Sequence, residues 1–175
     1  MSDDLGRSDR DHIIAADLRR SFDALSRGDL TGWLPLSLDA RRRHLELAVG
    51  SSVEPVSTPL FGQPAEAWRW PPSSHLPTGA VVWLQRDQVV LVDIDNPDVT
   101  VPVTESIGPP DEVMWSGLGR LYEQWLYPTR GLVAHVTRGQ HRIRLLLGLE
   151  AMTLDVMRVA PITTMTVTRV HRFRA

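Results

Sequence analysis

The chain partly repeats itself, and this repeat constrains its fold more than any other feature. The segment from Gly62 to Trp68 recurs from Gly108 to Trp115, keeping the order glycine, proline, glutamate, tryptophan. A second segment, 79–88, recurs at 131–140 with the same apolar pattern, after a short insertion in the second copy. A repeat of this length is typical of one supersecondary unit that is used twice.

Composition excludes several kinds of chemistry. The chain has 175 residues, which allows one compact domain or two small halves that share a core. It contains no cysteine, so disulfides, thiol catalysis and cysteine metal sites are excluded. All 19 basic residues are arginine, which removes a Schiff-base lysine and the lysine of a phosphate-binding loop. The net charge of −2 gives no general attraction to nucleic acid or to an anionic membrane.

The first third of the chain is predicted to be helical. We expect residues 1–8 to be disordered and residues 9–50 to form a helical pair. Ile14, Leu18, Phe22 and Leu25 mark one face of the first helix at spacings of four and three residues. Gly28 ends that helix, and a second helix runs from a cap at Ser37 to Gly50.

The period changes to that of β-strands after residue 51. Short segments rich in valine and tryptophan alternate with turn residues, which predicts strands at 66–70, 80–85, 88–94, 98–103, 112–116, 122–127, 132–137 and 141–147. Arg86-Asp87 predicts a tight hairpin turn, and Arg138-Gly139-Gln140 is its counterpart. In the first hairpin, Val81, Trp83 and Gln85 are predicted to share one face of the sheet, and Ala80, Val82 and Leu84 the other. Apolar residues on both faces predict that one face meets the helices and the other a neighbour or partner.

The predicted fold class is therefore α+β, with a leading helical pair and a duplicated antiparallel unit of about eight strands. The first β repeat spans 51–104 and the second spans 105–175, packed as one globular unit. The pattern of residues 150–159 fits a short helix that Pro161 would end, although its alternation also fits a strand. The alternating residues 163–173 predict a final long strand.

The glycine-proline motif resembles a known family pattern. The pattern is carried by Phe61-Gly62-Gln63-Pro64 and Ile107-Gly108-Pro109-Pro110-Asp111, with Trp125-Leu126-Tyr127-Pro128 downstream. It is similar to the repeated unit of β-lactamase inhibitory proteins and of the small outer-membrane assembly lipoproteins. The resemblance covers roughly residues 36–147 and implies a fold style and a binding role through a concave sheet. Those relatives are exported and use cysteines, which this chain lacks.

The aromatic residues suggest protein binding rather than catalysis. Tryptophan is twice as common as phenylalanine, and tryptophan with arginine is the usual composition of interface hot spots. We expect a non-enzymatic protein-binding module, such as an inhibitor, an immunity protein, an adaptor or an assembly subunit. The candidate contact residues are Trp70, Trp83, Trp115, Trp125, Tyr127, Arg142 and Arg144.

Two other functions stay open at this stage. A small-ligand, metal or enzyme site is possible near His135 and His141, which are predicted to lie diagonally on one strand face, with His171 as a third ligand. RNA binding is possible through the arginine-rich C-terminal third, although the net charge makes protein the favoured partner.

Catalytic motifs are weak. Met114-Trp115-Ser116-Gly117-Leu118-Gly119 is the nearest approach to a nucleophile elbow, but it lacks the first glycine. We predict no catalytic residue, no metal and no cofactor. The polar start is unlike a signal peptide, and no apolar run has the ~20 residues that a membrane span needs. A cytoplasmic protein without membrane contact, as a homo- or hetero-oligomer, is the expectation.

Overall fold

The computed structural model is an α+β fold built on a single eight-stranded antiparallel sheet, as the sequence predicts at that level. The structure describes residues 20, 24, 40–49, 53–72, 76, 78–97 and 103–164.

The strands and helices follow one another in a simple order. The strands are β1 (Val56–Ser57), β2 (Glu66–Trp70), β3 (Ala80–Gln85), β4 (Gln88–Asp95), β5 (Glu112–Trp115), β6 (Tyr122–Tyr127), β7 (Leu132–Thr137) and β8 (Ile143–Gly148). The helices are α1 (Arg42–Val49), α2 (Val103–Ser106), α3 (Leu154–Val159) and α4 (Pro161–Thr164), with a 3-10 turn at Pro128–Arg130.

The sheet consists of two four-stranded meanders that meet in the middle. The strand order is β1-β2-β3-β4-β8-β7-β6-β5, so the last strand of each meander lies at the centre. The seam joins β4 to β8, with Val92 opposite Gly148 and Asp95 opposite Leu145. The first strand of each meander, β1 or β5, is an edge of the sheet.

Most of the predicted strands are confirmed. Seven of them, from 66–70 through 88–94 and from 112–116 through 141–147, agree with observed strands to within one or two residues at each end. The strand predicted at 98–103 is wrong where it can be checked, because Val103 begins helix α2 and residues 98–102 lie outside the described residues. The final strand is wrong at its start, since Thr163 and Thr164 belong to α4, and the rest of it is not described. The two-residue strand β1 is not predicted, because two residues carry no readable period.

The leading helical pair needs correction. In the described part of the chain, one helix, α1, precedes the sheet, and the other helices follow β4 or β8. The predicted first helix falls outside the described residues, apart from single helical positions at Arg20 and Ala24. The helix predicted within 150–159 is confirmed as α3, with Thr153 as its N-cap accepting a hydrogen bond from the Val156 amide.

Both faces of the sheet are buried, because strict alternation along β3 and β7 sends apolar side chains each way. Ala80, Val82 and Leu84 pack in one cluster, while Val81 and Trp83 pack in the other. We call the first the helix α1 face and the second the helix α3 face. This alternation is the one predicted from the sequence.

Each face is covered by the chain itself. Leu45, the buried residue of α1, packs on the helix α1 face together with Val103 and Ile107. Met157 of α3 and Ile162 of α4 pack on the opposite face. Burying one such aliphatic side chain stabilises the fold by ~1.5–3 kcal/mol. The prediction that the second face waits for a partner is therefore wrong for its centre, which the C-terminal helices cover.

Turn chemistry explains where the hairpins reverse. Arg86 and Asp87 both have positive φ, 49° and 70°, as a two-residue type I′ turn requires. The Asp87 carboxylate accepts a hydrogen bond from Arg42 Nε at 3.1 Å, which ties the turn to α1. Gly139 in the second turn has φ 76°, as its identity suggests.

The two glycine-proline corners open strands at different places in the sheet. Gly62 and Gly108 both have positive φ, 79° and 90°, as predicted for a corner. The first corner leads into β2, the second strand of its meander, whereas the second leads into the edge strand β5. No helix in the described part of the chain is long and apolar enough to cross a membrane.

Candidate protein-binding surface

Strand β5 forms an exposed edge of the sheet. It pairs with β6 on one side, with Val113 opposite Trp125 and Trp115 opposite Glu123. Among the described residues, no strand pairs with its other side. Such an edge presents unpaired backbone amide and carbonyl groups, which form a template for another strand.

Large apolar side chains are exposed along this edge. Val113 and Trp115 alternate with the half-buried Met114, and the exposed fractions of the first two are 51% and 71%. Leu121, in the following loop, is 75% exposed. We call Val113, Trp115, Leu121 and Arg138 the β5 surface. Scattered exposed apolar residues need no explanation, but a group of them on an open strand edge is a candidate interaction site.

Arginine and carboxylate side chains hold the aromatic part of this surface. The guanidinium carbon of Arg138 lies 4.7 Å from the centre of the Trp115 ring, a cation–π contact. Arg138 Nε also lies 3.6 Å from Glu123 Oε1. Glu123 in turn accepts a hydrogen bond from Trp125 Nε1 at 3.2 Å. The exposed indole is therefore orientated by a chain of contacts that begins in the core.

The start of β5 carries the opposite charge. Asp111 is exposed immediately before the strand, and Glu112 is its first residue. Glu112 accepts a hydrogen bond from Arg158 of α3, which raises the pKa of the Arg158 guanidinium above its ordinary value. The edge thus runs from an acidic start to an end that is covered by arginine.

The structure separates the predicted contact residues by burial. Trp83, Trp125 and Tyr127 lie in the core, with no more than 4% of any of them exposed. Trp115 is the exposed member of the aromatic set. The three buried rings are therefore not available to a partner in this structure, and their role in it is packing.

Tyr127 has a structural hydrogen bond. Its hydroxyl donates to the carbonyl of Gly108 at 2.9 Å, which fastens β6 to the second glycine-proline corner. Burial raises the pKa of this tyrosine well above its ordinary value, because the phenolate would be poorly solvated there.

The remaining predicted contacts lie apart from one another. Trp70 is half-buried and lines a cavity of about 580 Å³ together with Pro71 and Pro72. Arg144 forms an ion pair with Asp95 at the central seam. Arg142 is exposed beside the β7–β8 turn, where its amide donates to Thr137 Oγ1. Of these three, Arg142 lies at the same end of the sheet as Arg138.

Sequence reasoning missed Val113 and Leu121 as surface residues. Their period predicts half-burial, and only the strand order shows that β5 has an open side. One sequence feature could have indicated this surface. The segment from Asp111 to Trp115 begins with two acidic residues and ends with a tryptophan, and the predicted turn at Arg138 carries an arginine.

Ser116 and His135 form the nearest approach to a catalytic pair. Ser116 Oγ lies 2.8 Å from His135 Nδ1 and accepts a hydrogen bond from the Leu118 amide at 3.0 Å. A serine and a histidine at hydrogen-bonding distance are the arrangement of a nucleophile and its base. However, His135 is fully buried, and Ser116 is almost so. The arrangement stabilises the loop after β5 and offers a substrate no access.

The predicted histidine site does not assemble. His135 lies on the helix α3 face with Val133, whereas the His141 ring packs 4.9 Å from the ring centre of Trp125, which belongs to the helix α1 face. The prediction that the two share a face is wrong, because the chain leaves the strand at His141 with φ 51°. His171 lies outside the described residues. In the part of the chain that the structure describes, no cluster of three or more possible ligands could hold a metal ion.

The arginines of the C-terminal third are largely matched by carboxylates. Arg138 faces Glu123, and Arg144 faces Asp95. Arg158 faces both Glu112 and Asp155. These pairs reduce the positive field that RNA phosphates would require. Arg169, Arg172 and Arg174 lie outside the described residues.

A second cavity lies at the first glycine-proline corner. It has a volume of about 590 Å³ and is lined by Gly62, Pro64, Arg42, Glu66 and Asp87, among others. Arg42 pairs with both carboxylates, and its hydrogen bond to Glu66 is the first cause of its raised pKa. Neither this cavity nor the one beside Trp70 is lined by His135 or His141.

Comparison with known proteins adds little. No protein-family model matches the chain, and no curated protein sequence matches it. A crystal structure of YjgB, a DUF4309 family protein from Bacillus subtilis, shares 13% sequence identity with a TM-score of 0.49. The match covers 78% of this chain and 97% of that one. At that level of similarity the match carries no argument about fold or function.

Proposed function

We propose that this protein is a non-enzymatic binding module that takes another protein along the β5 surface. One observation carries the proposal: Trp115 is 71% exposed on an open strand edge and is held in place by Arg138. Tryptophan and arginine are the residues that most often dominate binding energy. An open strand edge supplies main-chain hydrogen bonds to an added strand.

The other aromatic residues support this choice indirectly. Trp83, Trp125 and Tyr127 stabilise the core, so among the described residues Trp115 is the exposed indole that is left for recognition. Ser116 and His135, the two residues that most resemble a catalytic pair, are shielded from solvent. We therefore retain the non-enzymatic function, in the cytoplasm, as the proposal.

The duplication belongs to the same proposal. Two meanders with the same internal order support it, as do Gly79 and Gly131, which precede β3 and β7 with positive φ. The similarity to β-lactamase inhibitory proteins and assembly lipoproteins rests on the two glycine-proline corners. Because those corners lead into non-equivalent strands, β2 and β5, the support for a duplicated scaffold comes from the inner hairpins β3–β4 and β7–β8.

The test is site-specific photo-crosslinking in the native host. A photoreactive phenylalanine analogue is placed at Trp115 and, as the control, at Leu47, which is 83% exposed on α1. We expect a covalent protein adduct from position 115 and none from position 47. Once that partner is purified, Trp115→Ala should weaken its binding at least ~30-fold, as expected for a hot spot. Equal labelling from both positions, or no adduct from position 115, would contradict the proposal.

A further inference from the structure

We infer that the protein bound by the β5 surface is a second copy of this chain, with the two β5 strands paired antiparallel about a two-fold axis at Met114. The inference rests on the proposed function and names its partner. The product is a closed dimer in which the two eight-stranded sheets are continuous.

The alternation of side chains fixes the register of this pair. Residues directly opposite each other in an antiparallel pair lie on the same face of the sheet. Val113 and Trp115 share one face and Met114 lies on the other, as their pairing with β6 shows. A two-fold axis at Met114 places each Val113 opposite the partner copy's Trp115. The exposed apolar side chains of each edge then cover one another as aromatic and β-branched pairs, which stabilise antiparallel sheets.

Charge along the edge favours the same arrangement. Asp111 and Glu112 lie at the start of β5, whereas Arg138 covers its end and Arg120 is exposed in the loop that follows. Antiparallel pairing brings the acidic start of one strand to the arginine-bearing end of the other, twice. A parallel arrangement would place like charges together. The edge is thus complementary to itself, which is the property of an isologous interface.

The two edges of the sheet differ in a way that closes the assembly. The other edge, β1, has two paired residues, Val56 and Ser57, and its neighbour Glu54 is exposed. A long second edge would allow sheets to add without end, whereas a short one does not. One dimer per pair of β5 strands is the expected product.

The absence of cysteine allows a direct test. Met114→Cys places a single thiol on the proposed axis, opposite its own copy. Mild oxidation or a short bifunctional thiol reagent should convert most of the protein to a covalent dimer. Leu47→Cys, the matched control on exposed α1, should give little. Light scattering of the unaltered chain at tens of micromolar should give twice its mass of 19.6 kDa.

A second variant guards against a folding defect in the first. Trp115→Lys keeps the strand and adds one exposed lysine to each edge, so two added positive charges face the interface in every dimer. It should raise the dimer dissociation constant at least tenfold, while the thermal unfolding midpoint at concentrations that keep both proteins monomeric stays unchanged, because dimerisation itself stabilises the folded chain. A dimer that persists in Trp115→Lys, or a monomeric unaltered chain whose Met114→Cys variant does not cross-link, overturns the inference.

The photoreactive group at position 115 separates this failure from failure of the proposed function. An adduct with a different protein on a monomeric chain overturns the second-copy inference and leaves the binding proposal standing. An adduct within the same chain, mapped to residues 165–175 by mass spectrometry, means that the chain covers its own edge and overturns both. An adduct between two copies supports both.

Discussion

Each half of the sheet has an inner hairpin and an outer pair of strands. The inner hairpins of the two halves are alike, whereas the outer pairs differ. The inner hairpins, β3–β4 and β7–β8, share their alternation and a positive-φ glycine before the first strand, Gly79 or Gly131. The outer edges are β1, two residues long, and β5, with four residues and an exposed tryptophan. The scaffold thus lies in the hairpins, and the proposed binding site lies on one edge.

The largest expected effect separates a scaffold tryptophan from an edge tryptophan. Trp83→Ala removes a ring that is 2% exposed, so the free energy of unfolding should fall by ~3–5 kcal/mol. At protein concentrations low enough to keep the chain monomeric, Trp115→Ala should change it by no more than ~0.5 kcal/mol, because that ring is then mostly in solvent. Denaturant unfolding of both variants measures the difference. Similar losses would show that the β5 edge is part of the scaffold, and would contradict the distinction between the two.

A smaller effect tests whether the two inner hairpins are equivalent. A Cβ atom added at Gly79 would lie 2.2 Å from the Trp70 carbonyl oxygen, and one at Gly131 would lie 2.0 Å from that of Leu149. Gly79→Ala and Gly131→Ala should therefore each cost ~2–4 kcal/mol of unfolding free energy, from overlap and from positive φ.

Gly139→Ala is the matched control for the two hairpin glycines. Gly139 also has positive φ, but a Cβ atom there meets nothing within 4 Å. It should cost only the ~1–2 kcal/mol of the left-handed conformation. If Gly79→Ala and Gly131→Ala cost no more than this control, close backbone approach is not what the hairpins share.

The alternation along single strands could be predicted from the sequence, whereas the neighbours of each strand could not. Val81 and Trp83 were assigned to one face and Val82 and Leu84 to the other, because that period is local. The burial of Trp125 depends on β7 and on His141 beside it. The exposure of Trp115 follows from the position of β5, which is the last strand of the sheet among the described residues. Strand order is a non-local property. The sequence therefore predicts the tryptophan of the candidate site and its arginine-rich surroundings, but it does not predict that β5 is an edge of the sheet.

The smallest effect concerns the outer pair β5–β6. Tyr127→Phe removes the hydrogen bond to the Gly108 carbonyl and should cost ~1 kcal/mol near neutral pH. The raised pKa of Tyr127 means that the unfolded chain loses this proton before the folded one does. The free energy of unfolding should thus be independent of this group below about pH 10 and should fall as pH rises beyond it.

Stability measured between neutral and alkaline pH checks this sign. Tyr127→Phe should flatten the alkaline decline, whereas Tyr122→Phe, on the other face of the same strand, should leave it in place. A decline that is unchanged in Tyr127→Phe would mean that another group causes it, and that the second corner is not held by this hydroxyl.

The central seam has a consequence for how the molecule acquires its structure. Within each meander, every strand pairs with the next one along the chain, so these contacts close short loops. The pairing of β4 with β8 joins residues about fifty positions apart and must wait for a large loss of chain entropy. Contacts of long sequence separation slow folding. We therefore expect the two meanders to form early and their last strands to pair late. The rate-limiting step would then be the pairing of Val92–Asp95 with Leu145–Gly148.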